Sequence, residues 1–128
     1  MNTPNICKSF VAASTITEFA VVALDSNGKV AVATDATSDL IVGVAQRGAS
    51  AGDVVDVIVH GETRAIAGAA LTFSSTPRLT VGAAGVLVDG STSGDFPVAR
   101  VLPNVNQTST SASGEQIVVL FHGPVTAN

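Results

Sequence analysis

Aromatic side chains are scarce in this 128-residue chain, which has five Phe, no Trp and no Tyr. A surface on which nucleic-acid bases could stack is therefore excluded. Charge is scarce as well: charged residues make up 12%, with six Lys and Arg against ten Asp and Glu, for a net charge of −4. Six cations scattered singly along the chain do not track a phosphate backbone, so nucleic acid is not an expected partner. Cys7 is the only cysteine, which removes an intrachain disulfide framework and a Cys-based zinc site and fits a reducing compartment. Long apolar runs are also missing. Phe10–Leu24 comes nearest, but Ser14, Thr15, Thr17 and Glu18 interrupt it and only Lys8 supplies a basic flank. It reads neither as a membrane span nor as a signal peptide. The expectation is a soluble protein made in a cytoplasm, with no membrane partner.

What the chain does contain is small and β-branched. The apolar fraction is 46%, dominated by 20 Val and 19 Ala, with 12 Gly. Val- and Thr-rich sequence broken by glycine favours many short strands. The length suits one domain. It would fold from roughly 18,000 Å² of accessible surface to about 6,200 Å², enough burial for a core without disulfides. Asn27-Gly28, between the β-type runs Phe19–Leu24 and Lys29–Thr34, predicts a tight hairpin with positive φ at both central residues. Further strands are predicted over Leu40–Gln46, Val54–His60, Thr63–Ala67, Leu71–Phe73, Arg78–Val81, Val86–Val88, Phe96–Leu102 and Ile117–Phe121. Ala49–Gly52, Gly61, Gly68, Ser74–Pro77, Gly82–Gly85, Asp89–Asp95 and the polar stretch Asn104–Gly114 punctuate them. Ala65–Leu71 could form one helical turn, with Gly68 in its middle. The fold class is all-β, a single small β-barrel or β-sandwich domain over residues 16–128. Residues 1–15 lack periodicity and a cap, and read as an extended N-terminal arm.

The sequence echoes itself. Gly52–Gly61 aligned with Gly114–Gly123 keeps Gly52/Gly114, Val57/Val119, His60/His122 and Gly61/Gly123 identical, with conservative changes between them. Upstream, Gly43-Val44-Ala45 echoes Pro97-Val98-Ala99, and Lys29–Val32 loosely matches Gly85–Val88. Two copies of a hairpin unit sharing one core would explain the echo. The copies differ in their second face. Val54–His60 alternates as a half-buried strand, whereas Val118 and Leu120 give Gln116–His122 a second apolar face that wants cover, from an internal strand, from the arm or from a neighbouring subunit.

Little here points to chemistry. His60 and His122 each precede a glycine and could form a metal pair, but only Asp53, Asp56 and Glu62 lie nearby in sequence, and strand-end histidines are ordinarily surface or capping residues. No Gly-x-Ser-x-Gly elbow is present, and Ser91-Thr92-Ser93-Gly94 is loop composition. Asp35, Asp39, Asp89 and Asp95 flank expected turns, where Asp accepts backbone N–H groups. Gly82–Gly85 lacks the Lys and Ser/Thr of a phosphate loop. Lys8 and Lys29 lack the frame of a carrier lysine, and Asp25–Gly28 is too short for a calcium loop. No catalytic, cofactor-binding or metal residue is assigned, and the chain is not expected to be an enzyme.

The order of the hairpin Ala23–Val32 (ALDSNGKVAV), Ile41–Ala45 (IVGVA), Gly52–Gly61 (GDVVDVIVHG) and Gly114–Gly123 (GEQIVVLFHG) resembles the small head-decoration, or capsid cement, proteins of tailed bacteriophages. The resemblance spans roughly residues 20–123. It implies an all-β, non-catalytic protein on the outer surface of the expanded capsid, made in the host bacterial cytoplasm. It also implies a homotrimer that clamps neighbouring major capsid protein subunits, with the N-terminal arm part of the contact. The other readings are a different virion β-module, associated with the tail or a fibre, and a small enzyme or ligand-binding barrel using His60 and His122.

Overall fold

In the computed structural model, residues 5–34, 40–75, 78–90, 96–103, 107 and 110–124 are described. The Asn27-Gly28 signal lies at the tip of a hairpin between strands β2 (Val21–Leu24) and β3 (Val30–Val32), with Val22 opposite Val32 and Leu24 opposite Val30. The loop differs from the expected one. The Asp25 N–H donates to the Lys29 carbonyl at 2.8 Å and Gly28 N–H to the Asp25 carbonyl at 3.3 Å, which makes a three-residue loop. Only Gly28 has positive φ, at 76°, while Asn27 does not. The Asp25 carboxylate explains the preference: it accepts from the Asn27 and Lys29 N–H groups at 2.8 and 3.0 Å and holds the chain in the longer turn.

Eleven strands form among the described residues. The others are β1 (Ile6–Val11), β4 (Ile41–Ala45), β5 (Val54–Ile66), β6 (Leu71–Thr72), β7 (Arg78–Val81), β8 (Leu87–Asp89), β9 (Ala99–Val101), β10 (Thr110–Ser111) and β11 (Gln116–Phe121). A nine-stranded sheet runs β3-β2-β4-β5-β11-β9-β7-β8, with β1 also on β5, and β6 and β10 pair separately. All its named pairings are antiparallel. The all-β class is thus what the chain adopts, with the sheet strongly curled into a half-barrel.

Three expectations change here. Gly61 does not end a strand: β5 runs for 13 residues straight through it, because Gly61 at φ 134° still pairs with Phe121. Ala65–Leu71 forms no helical turn, since Ala65 and Ile66 belong to β5 and Ala67 bridges to Leu87. The described part of the arm expected over residues 1–15 is extended but lies paired within the sheet. Ile6–Val11 pairs along β5 from His60 to Val54, and Ala12 is buried. Period-2 patterning over six residues facing a half-exposed surface is too faint to see in the sequence, so pairing and not burial defines this strand. Asp35, Asp39, Ser91–Gly94, Asp95, Thr76-Pro77 and most of 104–109 lie outside the described residues.

The first half of β5 has β1 on one edge and β4 on the other, because both pair with Val57 and Ile58. Its second half, Gly61–Ile66, pairs with β11. The two halves then follow the same plan. In the first, β3-β2-β4 leads to the start of β5 and its partner β1. In the second, β8-β7-β9 leads to β11 and its partner, the end of β5. The hydrogen bonds repeat as well. Ala12 donates to the Asp53 carbonyl and accepts from Gly52 N–H, and Ala67 does the same with Glu115 and Gly114. Ala12 bridges Val30 in parallel, as Ala67 bridges Leu87. The hairpin bond from Asp25 to Lys29 recurs from Gly82 to Val86, a displacement of 57 (25 to 82, 29 to 86), with Gly28 and Gly85 at φ 76° and 74°. Lys29–Val32 thus corresponds to Val86–Asp89, one residue beyond the match read from sequence. Gly43, opposite Val22, corresponds to Ala99, opposite Leu79, two residues from the Gly43/Pro97 alignment. In Val- and Ala-rich sequence a shifted match scores as well as the true one, whereas the ladder admits a single register.

Two cores result. The larger gathers Val21, Ile41 and Val44 of the first half with Ala65, Leu79, Leu87, Val101, Ile117, Val119 and Phe121 of the second. The smaller holds Val22, Val30, Ala45, Val55 and Val57 under Ala12, Ile16 and Ala20. Adjacent residues of β2, Val21 and Val22, thus enter different cores, and β4 likewise sends Val44 into one and Ala45 into the other, while Ile6, Val11 and Val54 along β1 and β5 stay exposed. The inner face of the second half packs on the first, and its other face is turned outward.

Candidate functional site

The histidines come first. His60 is exposed and stands opposite Ile6 in β1. His122 lies just beyond β11, its Nδ1 2.8 Å from the Gly123 carbonyl and its backbone N–H bonded to Val98. Among the described residues no group of three or more His, Cys, Asp or Glu side chains is placed to hold a metal ion. The acids near them in sequence have structural partners. The Asp53 carboxylate accepts from Ser50 N–H at 3.1 Å and closes a turn, and the Asp56 carboxylate accepts from the Ser9 hydroxyl at 3.0 Å. The backbone of Glu62 is held by the Asn5 side-chain amide, which donates to its carbonyl at 2.9 Å and accepts from its N–H at 3.1 Å. Cys7 is exposed on β1.

A cleft of about 150 Å³ lies along the β2–β3 hairpin, lined by Ala23, Leu24, Asp25 and Ala31 to Thr34. It holds neither histidine, and typical ligand sites begin near 300 Å³. Thr80 and Thr63 in the core serve the fold in the same way, whereas the buried Ser111 hydroxyl has no hydrogen-bond partner among the described residues. Thr80 donates to the Phe96 carbonyl at 2.7 Å and Gln46 donates to the Thr63 hydroxyl at 2.9 Å.

The feature left over is a surface. On the outward face of the second half, Arg64 on β5 is opposite Val118 on β11, Leu120 is opposite Arg100 on β9, and Arg100 is opposite Arg78 on β7. The arginines are exposed, and Val118 and Leu120 are half-buried. The alternation that creates this face also fills the core, because Ile117, Val119 and Phe121 point inward between them. Glu62, opposite Leu120, is the acid of the row, so these four charges sum to +2 (three arginines less one glutamate). The repeat sharpens the contrast. By the ladder equivalence, Arg78 and Arg100 stand where the first half has Val21 and Val44, both fully buried in the larger core. The same face of the same unit is thus a packing surface in one half and a cationic surface in the other.

The sequence showed Val118 and Leu120 as an apolar second face but missed the arginines. Spread singly along the chain, they meet only through strand pairing, and three of the six cations in the chain share this face. Of the three covers considered for it, an internal strand, the arm or a neighbouring subunit, the described N-terminal residues do not supply one, since β1 pairs with the other half of β5.

No family model matches the chain, and no curated protein matches it in sequence. Among solved structures, it is similar to the N base of the head fibre protein gp8.5 of bacteriophage phi29. The TM-score is 0.66 over 96% of this chain and 99% of that one, at 15% sequence identity. At that identity the likeness is one of fold.

Proposed function

We propose that this chain is a structural, non-catalytic protein of a tailed-phage virion, seated on the outside of the head. There it binds the major capsid protein and ties neighbouring shell subunits together, acting as a homotrimer. The observation that carries the reading is the likeness of fold, over nearly the full length of both chains, to a domain from the base of a phage head fibre. The order of hairpin and Gly-bounded Val-rich strands, read independently from the sequence, leads to the same kind of particle. The physics of the role suits the molecule. Many weak, equivalent contacts stabilise a lattice through multivalency and ask of each copy a rigid scaffold. The net charge of −4 disfavours adventitious binding to packaged or host nucleic acid.

The second reading, a module at the base of a fibre, is favoured by what the solved neighbour is. Copy number separates the two. Quantitative mass spectrometry of purified particles should give a ratio to the major shell protein near one for a lattice component. A handful of copies would assign the chain to fibres or the tail, and absence from particles would end both readings.

A further inference from the structure

We infer that the outward face of the second half, carrying Arg64, Arg78 and Arg100 round Val118 and Leu120, is the surface by which this chain docks on an acidic patch of the shell protein. The inference rests on the virion reading above. Three observations lead to it. First, half of the cations of an acidic chain are gathered on one face. Second, Arg78 and Arg100 are directly opposite each other across β7 and β9, which concentrates positive charge at one place on the face. Arg78 already has an interaction within the chain, so Arg100 and Arg64 carry most of the test. Third, the apolar centre between them, Val118 and Leu120, is only partly buried. An apolar centre inside a charged rim is the usual anatomy of a protein contact.

Charge chooses the occupant. A second copy docking by this same face about a two-fold axis would set arginines against arginines. A partner presenting Asp and Glu round a small apolar patch is complementary to the three arginines, while Glu62, two residues from Arg64 on β5 and opposite Leu120, calls for a polar or basic group at that one point. Arginine suits the task because its planar fork can bind a carboxylate through two parallel hydrogen bonds.

The test uses the full chain and purified shells of the source particle prepared without it. Binding is measured for the wild type, for Arg64→Gln/Arg100→Gln and for the control Lys8→Gln/Lys29→Gln, which removes the same charge elsewhere. Thermal melts confirm that each variant folds. The arginine variant should bind about tenfold or more weakly at 0.15 M salt and lose affinity less steeply as salt rises, with the lysine control close to wild type. Equal binding by wild type and arginine variant would overturn this surface while leaving the virion reading intact. Wild type that fails to bind shells would sink both. If the arginine variant binds shells normally but loses self-association in sedimentation, the face joins copies of the chain and the inference is wrong.

Discussion

At the scale of single residues, two positions in this fold are decided by the space or angle around one Cβ atom. Gly43 on β4 lies so close to β5 that a Cβ there would run into the Ile58 carbonyl and the Val57 side chain. Gly→Ala ordinarily stabilises by about 0.4–1 kcal/mol through the unfolded chain, but overpacking costs about 1–3 kcal/mol. The clash is with backbone, which cannot rotate away, so Gly43→Ala should lower stability, seen as an earlier urea midpoint. Ala84 is the opposite case. It is exposed and held at φ 60°, ψ 31° in the β7–β8 hairpin, a left-handed conformation that disfavours a Cβ by about 1–2 kcal/mol. Asn is a residue type that tolerates that region, although Asn27, the counterpart in the first hairpin, does not adopt it. Ala84→Asn should raise the urea midpoint, by about 0.5–1 kcal/mol in stability, and an unchanged midpoint would show that the turn bears no strain. The Asn27-Gly28 hairpin was legible because turn chemistry is local. The left-handed Ala84 was not, because nothing in Gly82-Ala83-Ala84-Gly85 says which alanine takes the angle.

Among the elements, the strands along β2, β4 and β11 could be read from apolar pattern and turn residues, since each sends side chains into a core. β1 could not. Of its side chains only Phe10 is even partly buried, and what places it is the backbone ladder to β5. Its removal therefore has a local signature. Deleting residues 1–11 should speed amide exchange in Val54–His60, where β1 is lost from one edge, and leave Gln116–Phe121 protected between β5 and β9. Faster exchange throughout would mean that β1 supports the whole sheet. The arginine face was illegible for a related reason: residues 14 and 22 positions apart (64 to 78, 78 to 100) become neighbours only once register is set. A contrasting element is the inward row of β11. Phe121 is fully buried in the larger core, and Phe121→Ala should cost about 3–5 kcal/mol, a loss that a calorimetric melt would show as a fall of many degrees.

On the scale of the whole molecule, the sequence echo proves to be the visible tip of a longer correspondence. Only the segments Gly52–Gly61 and Gly114–Gly123 kept enough identity to be seen in register. The rest is carried by hydrogen bonds that many side chains satisfy equally well, which is why the neighbouring matches were read one and two residues out of place. The halves are not independent bodies, because β5 closes the first and opens the second. A chain of this plan should melt in one transition, with calorimetric and van't Hoff enthalpies equal; two resolved transitions would show that the halves come apart. The shared strand also limits how such a protein can change over time. Loops between strands can lengthen without disturbing the ladders, as they have between the two halves. A single residue added at His60-Gly61 would turn the faces of β5 over for one half relative to the other, trading buried side chains for exposed ones along an entire sheet. The junction of the repeats is thus the place least open to insertion, although between two tandem copies it is where a linker would ordinarily be found.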